Sequence, residues 1–350
     1  MANGPKIILA SLLFLCGCSF PTKLQPCDIS PMNQVSGYQG MTQVAADENG
    51  FFALGTDGVL YYYENDDTPV YVCELSYQDD VPFSGVTEPM KRYQETALPV
   101  QIYVYDDRLL YCVNYLNTDG VSSFTLMSIS KDGSARQKII SFSDNITGIT
   151  VHRNMIFALS RSADSTQLAI YDFKGKVLYR KESYLIDLPV VDGGFCYFTV
   201  FDEAMQSDVF EVTLDDFAES VIIEDAAHCF ANNGRFAVYD IDGMKAVNSR
   251  LIDREGNILL ALEDECRISY HDENHIYVTD RRHEPFQLVV YDWQGKEVQR
   301  FRPEEHGLTT FVSDILRVIH GKIICEAFVE NDFSLVAFDI SKGSCAILGR

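Results

Sequence analysis

Ile268-Ser269-Tyr270, a polar turn His271-Asp272-Glu273-Asn274, and then His275-Ile276-Tyr277-Val278-Thr279 open the stretch from which the fold can be read. A polar loop at 280–285 leads into Phe286-Gln287-Leu288-Val289-Val290-Tyr291. A second tight turn, Asp292-Trp293-Gln294-Gly295, leads into Lys296-Glu297-Val298-Gln299-Arg300-Phe301. These are four short β-rich runs separated by three turns, about the length of one propeller blade.

Both tight turns recur. The inner one returns as Asp47-Glu48-Asn49-Gly50, Asp106-Asp107-Arg108, His152-Arg153-Asn154, Asp192-Gly193-Gly194, Asn232-Asn233-Gly234 and His320-Gly321-Lys322. From Asn154 to Gly194, Gly234 and Asn274 the step is forty residues each time. The outer turn follows some twenty residues behind, as in Phe173-Lys174-Gly175, Leu214-Asp215-Asp216, Arg254-Glu255-Gly256 and Ser341-Lys342-Gly343. Its first copy is expected near Tyr77-Gln78-Asp79. Gly, Asn and Asp at these points tolerate the positive φ that tight hairpins need. Two locked series of this period predict an all-β, seven-bladed propeller of four-stranded antiparallel blades, rather than six or eight blades or a pair of sandwiches. A lone blade cannot bury both its faces, so the copies must stack and close into a ring. How the ring closes stays open: residues 346–348 supply the last outer strand, or the segment before Met41 adds one. Two stretches depart from the period, a long connection at 79–99 and an extended loop at 114–123.

Composition agrees with this reading. The chain has 350 residues, and 47% of them are hydrophobic, enough for a large core. Its 19 Tyr and 22 Phe suit pleated, half-buried surfaces. A net charge of −23 would repel phosphate backbones and anionic headgroups, so nucleic acid is not an expected partner.

The N-terminus reads as an export signal. Lys6 precedes the apolar run 7–15, which ends in Leu15-Cys16-Gly17-Cys18. Residues 1–17 are therefore expected to be a signal peptide, Cys18 a lipidated first residue, 18–40 a Pro-bearing tether and 41–350 the propeller. Of the remaining cysteines, Cys73, Cys112, Cys196, Cys229, Cys266, Cys325 and Cys345 sit singly in or beside apolar runs, and the expectation is mostly free, buried thiols.

Leu15–Cys18, together with Gly58-Val59-Leu60-Tyr61-Tyr62-Tyr63 and Thr68-Pro69-Val70-Tyr71-Val72-Cys73, resembles the extracytoplasmic lipoprotein propellers of clostridial and related bacteria, a TolB-like group. The resemblance covers nearly the whole mature chain and implies a fold and a lipid-anchored, extracytoplasmic place, with no established reaction. Many such relatives continue the last segment into a second Cys and a His; here Glu74-Leu75-Ser76-Tyr77 follows, so that element is missing.

The loops joining second and third strands, and those joining blades, share one rim, the usual binding face of a propeller. There the loop Asp280-Arg281-Arg282-His283-Glu284 could grip a carboxylate or sugar hydroxyls, since Arg offers a planar fork of donors. Asp202-Glu203 could act as a carboxylate pair or hold a cation. His271 and His275 bracket a turn on the opposite rim and read as structural, and Asp240-Ile241-Asp242-Gly243 lacks the rest of a calcium loop. The chain has no Gly-x-Ser-x-Gly, no phosphate-cradling glycine loop and no His-Glu-x-x-His. A lone Trp293 cannot give the repeated docking of quinone-dependent propellers. The expectation is a non-catalytic envelope protein, without metal or cofactor, that engages a protein or glycan through Asp202, Glu203, Arg281, Arg282 and His283. The alternatives are an extracytoplasmic hydrolase or lyase acting on carbohydrate or peptide, and a solute-capture protein.

Overall fold

The computed structural model describes residues 44–348, apart from 56–58, 65–67, 76–98, 117–121, 143–145, 188, 243–244, 264, 313–314, 316 and 331. The expected signal peptide, Cys18, the expected tether and the connection at 79–99 lie almost wholly outside the described residues. Seven antiparallel sheets follow one another along the chain, each built from strands consecutive in sequence. The blades begin with Val44–Ala46, Pro99–Tyr105, Ile146–His152, Leu185–Ile186, Ala227–Asn232, Cys266–His271 and Thr310–Phe311. Their outermost strands are Pro69–Glu74, Gln137–Phe142, Val177–Ser183, Glu219–Ile223, Ile258–Ala261, Glu297–Phe301 and Ser344–Leu348. This is the seven-bladed propeller that the turn series predicts.

Burial explains the composition of each strand. Leu288, Val289 and Val290 are fully buried, because both faces of that inner strand pack on neighbouring blades. Outer strands keep one face in water, and Pro69–Glu74 and Glu219–Ile223 are largely exposed. Apolar seams join the blades: Leu110, Ile156 and Cys196 belong to one continuous cluster, and Ile268, Leu288 and Phe338 to another.

The ring closes without strand exchange among the described residues. Ser344–Leu348 is the outer strand of the seventh blade and, among the described residues, pairs only with Asp332–Asp339. Val44, Ala46, Phe51, Ala53 and Tyr63 of the first blade pack instead against Ile319, Ile324, Leu335, Ala337 and Leu348 of the last. Polar stitches between inner turns reinforce the seams. His320 Nε2 bonds the Asp47 carbonyl at 2.7 Å across the closing seam, and His152 Nε2 bonds the Gly193 carbonyl at 2.8 Å. Tyr105 Oη donates to Asn154 Oδ1 at 2.7 Å, and His271 Nε2 bonds the Arg235 carbonyl at 3.3 Å. His271 is thus a blade-to-blade tie, packed edge-on against Phe230 and Trp293. Burial pushes its pKa down to about 4. Trp293 caps the same seam, with the Arg235 guanidinium 4.4 Å from its ring centre.

The outer turns show a device that the glycines alone do not reveal. Asp172 Oδ1 accepts the N–H groups of Lys174 and Lys176, and Asp292 Oδ1 accepts those of Gln294 and Lys296. This Asx geometry fixes the reversal before Gly175 (φ +84°) and Gly295 (φ +75°) complete it. In the fourth blade Phe217 takes the left-handed position (φ 59°) and stacks on Tyr179.

Two expectations are corrected. The first outer turn does not lie at Tyr77-Gln78-Asp79: the third strand ends at Tyr63 and the fourth begins at Pro69. Val70-Tyr71-Val72 has the composition of an inner strand but occupies the blade's outer edge, with Val70 54% and Tyr71 63% exposed. In the extended loop at 114–123, residues 114–116 and 122–123 are strand, since the hairpin ladder continues to Leu116 opposite Ser122; 117–121 lie outside the described residues.

The closing seam gives a direct test. Ile324→Ala should destabilise the fold by about 2–5 kcal/mol, the usual cost of truncating a fully buried aliphatic side chain. Chemical denaturation measures it; a loss under about 1 kcal/mol would show that the seam does not hold the ring.

Candidate functional site

The loop after Asp280 is built on a buried ion cluster. Asp280 ends the second strand of the sixth blade and is almost fully buried. Its carboxylate accepts from Arg282 Nε (2.9 Å) and Nη2 (2.8 Å) and from Arg300 Nη1 (3.0 Å). Burial alone would raise the Asp280 pKa, but the hydrogen bonds from Arg282 and Arg300 outweigh it and hold the group ionised well below the usual carboxylate range. Arg282 also pairs with Glu263. Its guanidinium is therefore committed to holding the loop.

Its neighbours are placed differently. Arg281, His283, Glu284, Pro285 and Phe286 line an open cleft of about 460 Å³, together with Thr309 and Thr310 from the link into the seventh blade. The Arg281 guanidinium lies 4.9 Å from the Phe286 ring centre, so its charged edge is carried on an apolar support. His283 is half exposed, with Nε2 4.0 Å from Asp280 Oδ2. The cleft offers a cation, an imidazole, one carboxylate and two hydroxyls around an aromatic ring. Phe286, Thr309 and Thr310 are not legible as site residues from the motif, because two blades must meet to bring them together.

Asp202 and Glu203 do not line this cleft. Asp202 Oδ1 accepts the N–H groups of Ala204 and Gln206, so that carboxylate shapes its own turn, while Glu203 is exposed. Asp240 is held by Arg250 at 2.7 Å and Asn248 at 3.0 Å, which accounts for its place in the sequence without calcium. Cys73, Cys112, Cys196, Cys266, Cys325 and Cys345 are free thiols. Cys112, Cys196 and Cys325 are fully buried, and burial raises the pKa of each. Cys27 and the Cys229 side chain lie outside the described residues. Among the described residues, no group of three or more His, Cys, Asp or Glu is placed to hold a metal ion.

A second polar region lies in the central channel, where the innermost strand of the fourth blade is broken. Leu185–Ile186 and Val190–Asp192 both pair with Phe195–Phe201, but the intervening stretch carries Asp187 and Pro189. Pro189 has no N–H to give a ladder, so the strand must part there. Protein surrounds the Asp187 carboxyl, although the residue keeps part of its surface open to solvent. Burial pushes its pKa up to about 7, and Arg267 pulls it back only in part. The Pro in an otherwise apolar inner run was the sequence signal for this break.

No family model matches the chain, and no curated protein matches it. Matching solved structures include the β-propeller domain of the Trilobed protease from Pyrococcus furiosus, at 10% identity and a TM-score of 0.54, covering 89% of this chain and 98% of that one. That domain is described as having an open velcro topology. A puromycin hydrolase matches at 11% identity and a TM-score of 0.57, covering 94% of this chain but 56% of the hydrolase. TolB from Acinetobacter baumannii matches at 14% identity and a TM-score of 0.48, covering 86% of this chain and 77% of that one, a likeness too loose to argue from. At these identities the matches show the propeller fold and nothing about chemistry.

Two outcomes follow from the geometry. Arg282→Met should cost roughly 1.5–3 kcal/mol, the range for a hydrogen bond to a buried charge. Arg281→Ala, at an exposed side chain over Phe286, should cost less; equal losses in both would contradict this division of roles. Asp187 titrates at 3.8 when unperturbed and at about 7 in the folded chain, so its neutral form favours folding. That contribution is complete below pH 4 and is lost as pH rises through 7. Asp187→Asn removes the dependence: the variant should gain stability relative to the parent between pH 5 and pH 8, and parallel pH–stability curves would contradict the assignment.

Proposed function

We propose that this chain is a lipid-anchored, cell-envelope propeller that binds a protein or glycan through its loop-bearing rim and does not catalyse a reaction. The observation that carries the reading is the cleft between the sixth and seventh blades. Arg281 over Phe286, with His283, Glu284, Thr309 and Thr310 around it, combines an aromatic platform with donors and one acceptor. Sugars and peptides both present an apolar face edged with hydrogen-bonding groups, and such a cleft suits either. Its openness to solvent favours part of a larger ligand over a wholly enclosed small one. The anchor is Cys18, expected from Leu15-Cys16-Gly17-Cys18.

One observation favours the alternative, an extracytoplasmic hydrolase or lyase. Asp187, with its pKa pushed up to about 7, is poised to exchange a proton at neutral pH. Enzymatic use of Asp202, Glu203, Arg282 and His283 would require a rearrangement, because Arg282 is bound to Asp280 and Glu263.

Affinity capture from the native envelope, comparing the parent with an Arg281→Ala/His283→Ala variant, tests the binding site. The variant should recover the specific partner at least tenfold less well; equal recovery removes this cleft from the reading. Mass analysis of the parent and of Cys18→Ala tests the anchor: a diacylglycerol adduct on the parent alone is expected, and its absence from both would end the lipoprotein assignment.

A further inference from the structure

A second open cleft lies on the third blade, away from the one at Arg281. Its volume is about 480 Å³, inside the range of about 300–1,000 Å³ in which proteins hold small molecules. The strand register shows how its walls are built. Ser160 pairs with Gln167 and Gln167 with Glu182, so these three side chains stand abreast on one face of the sheet. Arg180 lies two residues before Glu182 and projects from the same face. Lys181, between them, projects from the other face and is spent on the seam with the fourth blade, where its Nζ lies 2.6 Å from Glu219 Oε1. Arg161 ends the second strand and lines the cleft with Arg180.

Hydrogen bonding in the loop at 161–166 sorts the lining into donors and acceptors. Ser162 Oγ donates to the Ser165 carbonyl at 3.0 Å, and Ser165 Oγ donates to Glu182 Oε1 at 2.6 Å. Both hydroxyl protons are committed, so what the two serines keep for a ligand is acceptor capacity. The second oxygen of the Glu182 carboxylate adds to it. Arg161 and Arg180 supply donors only, and Gln167 supplies both kinds. Among the described residues Arg180 makes no ion pair, because Glu182 is bonded by Ser165 and Glu219 by Lys181. The blade does not need that cation for its own stability, since Lys181 and the apolar seam already fasten it to its neighbours. On a chain of net charge −23, a cleft with two guanidinium groups and one carboxylate is a local reversal of sign.

We infer that this cleft binds an acidic sugar, a hydroxylated ring that carries one carboxylate, sulfate or phosphate group. The anionic group meets Arg180 and Arg161, whose planar forks match two oxygens of an oxyanion at once. The ring hydroxyls donate to Ser162, Ser165 and Glu182, which hold the acceptors. A bare carboxylate or sulfate would face Glu182 with no proton to offer it, so the residue that receives the sugar also disfavours the free ion. A neutral sugar forgoes the guanidinium pairing. The acidic surface of the chain does not draw such a ligand in from a distance, so selection falls to the two arginines at the cleft itself. This site does not depend on the function proposed for the cleft at Arg281.

Isothermal titration of the purified protein at pH 7 with D-glucuronate, D-glucose 6-sulfate and D-glucose 6-phosphate tests the inference. The controls are D-glucose, acetate, sulfate and inorganic phosphate. The best of the three should bind at least tenfold more tightly than D-glucose and than its own bare anion, and its identity gives the anionic group. Arg180→Gln should weaken that binding at least tenfold, and Arg180→Lys should restore part of it. Arg180 is exposed, so both variants should unfold like the parent. Arg281→Ala should leave binding unchanged. Glu182→Gln should strengthen binding of the bare anion and so narrow its gap from the sugar, a readout that a purely structural role would not move. The inference is overturned if none of the three binds at concentrations up to about 20 mM, if D-glucose or the bare anion comes within tenfold of the best sugar, or if folded Arg180→Gln binds like the parent.

Discussion

Side-chain packing across the seam between the first and last blades holds the ring shut. Many closed repeats could fasten such a seam by lending a strand from one end of the chain to the other, but here each described blade is complete in sequence. Closure therefore depends on Phe51, Tyr63, Ile324, Leu335 and their neighbours excluding water as tightly as any internal seam does. Two directional contacts assist: the His320 bond to the Asp47 carbonyl and the approach of Lys322 Nζ to within 6.0 Å of the Phe51 ring centre. Every other property of the molecule assumes this closure, because an open ring would expose the apolar face of two blades and the channel would lose its walls.

Stitches between inner turns tie neighbouring blades together on one rim. Histidines at 152, 271 and 320 and the pair Tyr105–Asn154 each bond a polar group on a neighbouring blade. That accounts for histidines beside turns without invoking a metal. The opposite rim is free to vary, and there the sixth blade uses a buried carboxylate to project a loop. Asp280 binds two guanidinium groups, and the loop that they anchor presents Arg281 and His283 outward. One arginine of an adjacent pair is thus spent on architecture, and the other lies over Phe286 at the cleft.

Much of this was legible beforehand, for identifiable reasons. Turn chemistry is local, so the spacing of Gly, Asn and Asp gave blade number and the rim on which each loop emerges. The first blade misled because Val70-Tyr71-Val72 has the composition of an inner strand, and only its place at an edge leaves it exposed. In the Asp280 loop, charge density marked the region correctly, but nothing in Arg281-Arg282 distinguishes the two side chains. Their difference arises from buried Asp280 and from Glu263, nineteen residues upstream, which between them hold Arg282. Asp187 belongs to no motif, and its pKa is raised by burial and pulled back in part by Arg267, some eighty residues away in the chain.

By itself, then, the sequence determined what short-range physics determines: turns where φ is positive, strands where apolar runs are long enough, and hence seven blades. Tertiary structure decided which polar residues meet. The cleft at Arg281 needs the link between two blades, the closing seam needs the two ends of the propeller, and Asp187 meets Arg267 from another blade. The physical reason is that burial and charge pairing act through space, across distances that a forty-residue repeat hides. A residue's position within its own blade says nothing about the charge that faces it from another.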